Sequence, residues 1–191
     1  MATKLALASQ ALKNAYPLSV TETDYAAKGC HLEASIAPEK VVDAVRALDG
    51  EGFFLEAVTG VDWLTPKAPP KAPKAAEAGA EAAAPKTPGA DAAAPKAAEA
   101  EAKPEEAPKE EMEVVYDFNH YAELCRVVLK VRIPRDAPSL PTISAVYPGA
   151  NWHEREVFEF FGIIFENHPD LKPLLLPEDA DFHPLRKDFV S

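Results

Sequence analysis

The side chains with chemistry to offer crowd into the last third of the chain. Asn151-Trp152-His153-Glu154-Arg155-Glu156 is followed by His168-Pro169-Asp170-Leu171 and then by His183-Pro184-Leu185-Arg186-Lys187-Asp188-Phe189. Imidazoles and carboxylates at this density raise a metal centre first. The spacing argues against it: His153-Glu154 lacks a second histidine one helical turn on, which the zinc-protease arrangement requires. His168 and His183 each precede proline, in turns where an imidazole more often caps backbone. Cys30 and Cys125 are too far apart for a zinc or iron–sulfur site and too few for a disulfide framework, so they read as reduced, partly buried thiols. There is no glycine-rich phosphate loop and no flavin or nicotinamide fingerprint. Left over are charged groups, of which Glu154, Arg155 and Glu156 read on composition alone as a solvated helix face.

These groups need elements to position them. Asn151 to Phe165 holds the best-defined one, a helix with Asn151 as N-cap and Glu154 completing a capping-box-like pair. Val157, Phe160, Phe161 and Ile164 recur at helical spacing as a core stripe, Glu154, Arg155, Glu156 and Glu159 fall mainly on other surfaces, and Gly162 ends or loosens the helix. Further upstream, Leu124 to Ile133 alternates cleanly as a half-buried strand ended by Pro134. Phe53 to Val58 and Glu113 to Phe118 read as strands, His31 to Ile36 as the first strand, and Thr142 to Tyr147 as a short one. A helix with Pro38 in its first turn carries Val41, Val42, Val45 and Leu48 on one face and stops at Asp49-Gly50. Strands with helices gathered beside them predict an α+β two-layer sandwich with a mostly antiparallel sheet.

Residues 66–110 interrupt this pattern. They hold nine of the 19 prolines and 18 alanines, and no Val, Ile, Leu, Met or aromatic residue. Such a stretch cannot bury enough apolar surface to offset its ordering entropy, so the sequence predicts a disordered insertion between two parts of one domain, 1–65 and 111–191. Its charges nearly cancel, so the net charge of −11 belongs mainly to the rest of the chain. That sign disfavours nucleic acid and anionic membrane surfaces as direct partners. The N-terminus does not read as a signal peptide, and no apolar run approaches a membrane span, so a soluble chain is expected that meets a membrane only through a partner.

The run Ala150 to Gly162, with Phe165, His168-Pro169-Asp170-Leu171 and His183 to Phe189, resembles the signature of the C-type (30 kDa) subunit family of respiratory complex I, the proton-pumping NADH:quinone oxidoreductase. Thr59-Gly60-Val61-Asp62, Glu113-Val114-Val115-Tyr116 and Val131-Arg132-Ile133-Pro134 look like the family's earlier landmarks, so the likeness spans nearly all of the chain outside 66–110. Lys172-Pro173 and the end shortly after Phe189 depart from the common pattern. Both are compatible with the equivalent subunit of energy-converting membrane-bound [NiFe] hydrogenases. The resemblance implies a subunit without a redox centre or catalytic residue. Iron–sulfur clusters, FMN and NADH, or a NiFe centre, then belong to partner subunits.

It implies that the chain braces the D-type catalytic subunit and its iron–sulfur neighbours, peripheral to the cytoplasmic side of the cell membrane. Glu154, Arg155, Glu156, His168, Pro169, His183, Pro184, Leu185, Arg186, Lys187 and Asp188 become interface candidates. On composition alone Glu154, Arg155 and Glu156 are a solvated helix face, and Asp188 can instead fix Arg186 or Lys187 within the chain. A third reading is a carrier or binding protein that uses the Ala/Pro tract as an arm, although no Asp-Lys-Ala lipoyl turn occurs outside the tract.

Overall fold

The computed structural model describes residues 3–14, 19–64, 110–177 and 179–189. The expected insertion, apart from Glu110, lies outside the described residues. In chain order the elements are α1 (Lys4–Asn14), β1 (Ser19–Glu22), α2 (Tyr25–Lys28), β2 (Leu32–Ser35), a 3-10 turn (Pro38–Lys40), α3 (Val41–Gly50), β3 (Phe54–Asp62), β4 (Glu111–His120), β5 (Cys125–Pro134), β6 (Ser139–Pro141), α4 (Ala150–Phe161) and β7 (Ile164–Glu166).

Alternation along the strands becomes burial. β5 sends Cys125, Val127, Leu129, Val131 and Ile133 into the core, the face the sequence predicts, and β4 adds Met112, Val114, Tyr116 and Phe118. The main sheet runs β1-β2-β5-β4-β3, with β2 and β5 parallel and its other pairings antiparallel. This is the mixed α+β architecture expected, with a mostly antiparallel sheet. A second, parallel pair joins β6 to β7. Against the sheet pack α1 through Ala8 and Leu12, α3 through Val41, Ala44, Val45 and Leu48, and α4 through Ala150, Val157 and Phe161, all in one core cluster. Each fully buried aliphatic or aromatic side chain there contributes about 1.5–3 kcal/mol.

Several expectations change. His31 to Ile36 supplies the second strand, because Ser19–Glu22 pairs ahead of it on the sheet edge. The strand expected over Thr142 to Tyr147 is a turn, and the nearby strand is β6. The Thr142 N–H still donates to Glu166 O at 3.0 Å beside β7, but the Ile143 N–H goes to the Glu154 carboxylate at 2.8 Å, and the N–H groups of Val146 and Tyr147 return to Ile143 O at 2.9 Å. Helix α4 begins at Ala150 with Gly149 as N-cap and no side-chain cap bond, so Asn151 does not cap it. Gly162 does end it, in the left-handed conformation at φ 72°, which sends Ile164 into β7 and leaves it 52 % exposed instead of on the core stripe. Among the described residues no helix is long and apolar enough to cross a membrane.

Candidate functional site

Glu154 lies three residues before Val157 and seven before Phe161, so helical geometry puts it on the buried stripe. It is fully buried, as is the facing imidazole of His168, whose Nε2 is 3.7 Å from its Oε2. The carboxyl takes the Ile143 N–H at 2.8 Å and a short bond with the Thr142 hydroxyl. Burial pushes this carboxyl up to about 7, while the Thr142 and Ile143 bonds work the other way.

The rest of α4 holds the segment that follows β7. Arg155 donates from Nε to Lys172 O at 2.9 Å and from Nη2 to Pro173 O at 3.0 Å, and its guanidinium lies 5.4 Å from the Trp152 ring. Next comes Glu159, 3 % exposed, whose carboxylate receives the backbone N–H groups of Leu174 at 2.7 Å, Leu175 at 2.9 Å and Leu176 at 3.1 Å. Three consecutive amides around one carboxylate form a nest for an anion that the chain itself supplies. A cleft of about 230 Å3 remains between helix and segment, walled by Phe158, Leu171, Pro173, Leu176 and Phe182. At the helix end His183 Nδ1 meets Glu159 O at 2.9 Å, Leu185 N–H donates to Phe160 O at 3.2 Å, and Arg186 Nε donates to Phe161 O. Those carbonyls have no partner inside a helix terminus, and a cation suits the negative end of the helix.

The last residues are then fastened to the sheet. Asp62, at the end of β3, accepts from Arg135 Nε at 3.3 Å and Nη2 at 3.2 Å, and from the backbone N–H of Lys187 at 2.9 Å and Leu64 at 3.0 Å. Burial works to raise the Asp62 carboxyl, but Arg135 and the two amides outweigh it and hold it below the ordinary range. Arg135 also donates to Asp188 at 2.6 Å.

Close approach at Gly162 depends on its missing side chain. A Cβ there would sit 2.2 Å from Arg186 Nη2 and 2.5 Å from His183 Nε2, on a backbone already at positive φ. Gly162→Ala is therefore expected to lower stability by roughly 2 kcal/mol, from left-handed strain plus overpacking. It should also raise amide exchange over 183–189 before the sheet is affected, which hydrogen exchange read by mass spectrometry measures.

Of the cations expected to reach outward, Arg155 and Arg186 are bonded to carbonyls of their own chain. The Lys187 side chain is exposed, as are Glu156, Pro169 and Asp188, while Pro184 is half-buried. Asp188 pairs with Arg135 at 2.6 Å, and its charge also acts on Arg186. Glu154 and Glu159, expected on other surfaces of the helix, are buried because each carries hydrogen bonds across to a neighbouring segment. The sequence reading passed over Asp62 and Arg135 as functional residues. Their signal was positional, since both lie in or beside runs that look like family landmarks. Among the described residues no three His, Cys, Asp or Glu side chains gather as metal ligands.

Polar groups thus face α4 and the sheet end, while the same segment leaves Leu175 67 %, Phe182 42 %, Leu185 54 % and Phe189 39 % exposed, with the Phe182 and Phe189 rings stacked at 5.7 Å. The arrangement suits docking more than bond chemistry: a pre-ordered strap with apolar side chains outward.

The family model described as respiratory-chain NADH dehydrogenase, 30 Kd subunit, matches residues 34–191. The chain is 48% identical over 82 residues to the C-type subunit of F(420)H(2) dehydrogenase from Methanosarcina mazei, covering 42% of this chain and 52% of that one. It is 50% identical over 76 residues to the C-type subunit of NADH-quinone oxidoreductase from Roseiflexus sp., covering 40% and 44%. The matched part spans about half the length of these relatives. A chain in the structure of the membrane-bound sulfane sulfur reductase, an archaeal respiratory membrane complex, shares the fold at a TM-score of 0.62 and 23% identity, over 95% of this chain and 82% of that one.

Proposed function

The chain belongs to the respiratory-chain NADH dehydrogenase 30 kDa subunit family, and from that premise we propose that it is a non-catalytic bracing subunit in the peripheral arm of a complex I-type NADH:quinone oxidoreductase. Its partners on this reading are the D-type catalytic subunit and the neighbouring iron–sulfur subunits. FMN, NADH and the clusters then reside in other chains, and the membrane is met from the cytoplasmic side through the complex.

The strap along α4 carries the proposal. Its backbone is held by Arg155, Glu159, Arg186 and Asp62 before any partner arrives, so docking loses little conformational entropy. Leu175, Phe182, Leu185 and Phe189 offer apolar anchors, and the 230 Å3 cleft offers a recess for one from the partner. Lys187, exposed beside them, adds a cation for a partner carboxylate. Electron tunnelling and quinone positioning both need fixed distances, so a brace affects rate without touching electrons.

A tagged full-length chain drawn from detergent-solubilised membranes is expected to bring down a D-type catalytic partner in stoichiometric yield. Recovery of the chain alone would sink the proposal. The likeness to the F(420)H(2) dehydrogenase protein favours a second reading, in which the same brace serves a complex fed by another donor, an energy-converting hydrogenase among them. Co-purified NADH- and flavin-binding subunits support the first reading. A large subunit with paired Cys-x-x-Cys motifs supports the second.

A further inference from the structure

The core helices pack on the sheet face of Met112, Val114, Tyr116 and Phe118, and the period of two in β4 turns Asp117 and Asn119 to the other face. Register sets their neighbours on that outer face. Phe54 and Arg126 flank Asn119, and Ala57 and Val128 flank Asp117. Between Leu55 and Ala57 the register shifts, so Glu56 is the extra residue of a bulge, which re-aims its side chain. The Glu56 carboxylate accepts from Arg126 Nε at 2.9 Å, from Arg126 Nη2, and from Asn119 Nδ2 at 3.2 Å.

Those bonds occupy the donors and leave acceptors over. With its amide nitrogen fixed on Glu56, Asn119 holds Oδ1 buried and without a donor. Among the described residues nothing donates a hydrogen bond to the half-buried Asp117 carboxylate. Burial pushes that carboxyl up, Arg126 opposes this through its charge alone, and Glu56 adds to the rise. Two carboxylates and an amide oxygen therefore share one guanidinium, and a negative charge stays uncompensated. An apolar rim surrounds it. Phe54 is exposed, and the exposed Tyr25 ring stacks on His31, whose Nδ1 accepts the Arg126 N–H at 3.1 Å. Past this row the turn from β4 to β5 leaves Tyr121 86 % and Leu124 75 % exposed, Leu124 on a left-handed backbone at φ 46° that strains a leucine. Glu123 in the same turn is met by a neutral donor, the Lys4 backbone N–H at 2.7 Å, so the rim is acidic as well.

We infer that this outer-face patch is a second docking site, which takes a segment of another polypeptide presenting a lysine or arginine among apolar side chains. The cation compensates Asp117, and the apolar groups pack on Phe54, Tyr121 and Leu124. Excess negative charge turns away phosphate backbones and anionic lipid headgroups. The inference rests on the bracing reading, because a brace must be attached in two places and the strap supplies one. The two surfaces lie at opposite ends of β3, with Phe54 here and Asp62 bonded to the strap, roughly 25 Å apart by the rise of a strand.

The test puts the photo-crosslinking residue p-benzoylphenylalanine in place of Tyr121 or, separately, of Phe182 on the strap. The tagged full chain is irradiated in its detergent-solubilised complex, and linked peptides are identified by mass spectrometry. Position 121 is expected to link to a peptide of another polypeptide that carries Lys or Arg among apolar residues. Asp117→Asn keeps the shape without the charge, so it should lower that crosslink about tenfold and leave the one from position 182 unchanged. In the purified full chain alone, Asp117→Asn should melt at or above the wild-type temperature, because no donor of the chain is left without its acceptor. A lower melting temperature, or an undiminished crosslink in Asp117→Asn, overturns the site. So does a position 121 that links to nothing, to lipid or to a peptide without a cation while position 182 links to protein, and that result leaves the brace standing. Silence at both positions overturns the brace and the second site together.

Discussion

Asp62→Ala is expected to destabilise the chain by about 3 kcal/mol, the lower part of the range for breaking one side of a buried ion pair. The Asp62 side chain is 1% exposed and Arg135 15% exposed, so solvent does little to replace either charge. Removing the carboxylate also strips the acceptor from two amides, Leu64 and Lys187, the second of them 125 residues away in sequence. The loss stays below the top of the range because Arg135 keeps Asp188 at 2.6 Å. Asp62→Asn retains an acceptor without the charge and should fall between the two. The Asp62 carboxyl is held below its ordinary value of 3.8, so its contribution is present above that pH and is lost as pH falls through the lower folded value. Urea unfolding should show the gap between wild type and Asp62→Ala at neutral pH and show it closing in acid. A gap of the same size in acid would mean that the Asp62 charge is not what stabilises this end of the sheet.

Glu159→Ala should cost about 3 kcal/mol or more, because one carboxylate serves three amides through charge-assisted bonds. Its position adds to the argument. A negative charge in the last turn of a helix opposes the helix dipole, so without those amides Glu159 would be an unfavourable residue there. The strap should suffer first: exchange at Leu174, Leu175 and Leu176 is expected to rise, with β4 and β5 still protected. Glu159→Asp, one methylene shorter, should resemble the alanine variant more than Glu159→Gln does, because reach and not charge alone sets the bonds. Equal protection of 174–176 in wild type and Glu159→Ala would mean that the strap is held by something else.

Much of the sheet could be read directly. β5 alternates without exception from Cys125 to Ile133, and side chains of period two leave only one way to face a core. The helix over Val41 to Leu48 was legible for the same reason at its own period. Glu154 was misread although the signal existed: it shares a helical face with Val157 and Phe161, and was assigned to other surfaces because it is charged. The capping box with Asn151 was a plausible local bond that lost to a tertiary one, since Thr142 and Ile143 offer Glu154 two donors in a buried place. The expected Thr142–Tyr147 strand is a turn, with the Ile143 N–H taken by Glu154 and the Val146 and Tyr147 N–H groups returning to Ile143 O.

The sequence by itself determined the periods, the break at residues 66–110 and the linked run from Ala150 to Phe189 by which the family is known. These are local properties, written in spacing and residue type. Tertiary structure alone decided where the charges of that run point. Arg155 and Arg186 are expected at an interface, and within the chain they hold the strap's own carbonyls and the helix end. A guanidinium, a carboxylate or an amide has no preferred side until another segment arrives within hydrogen-bond distance. Asp62 and Lys187 come together only because β3, α4 and the last residues converge at one end of the sheet.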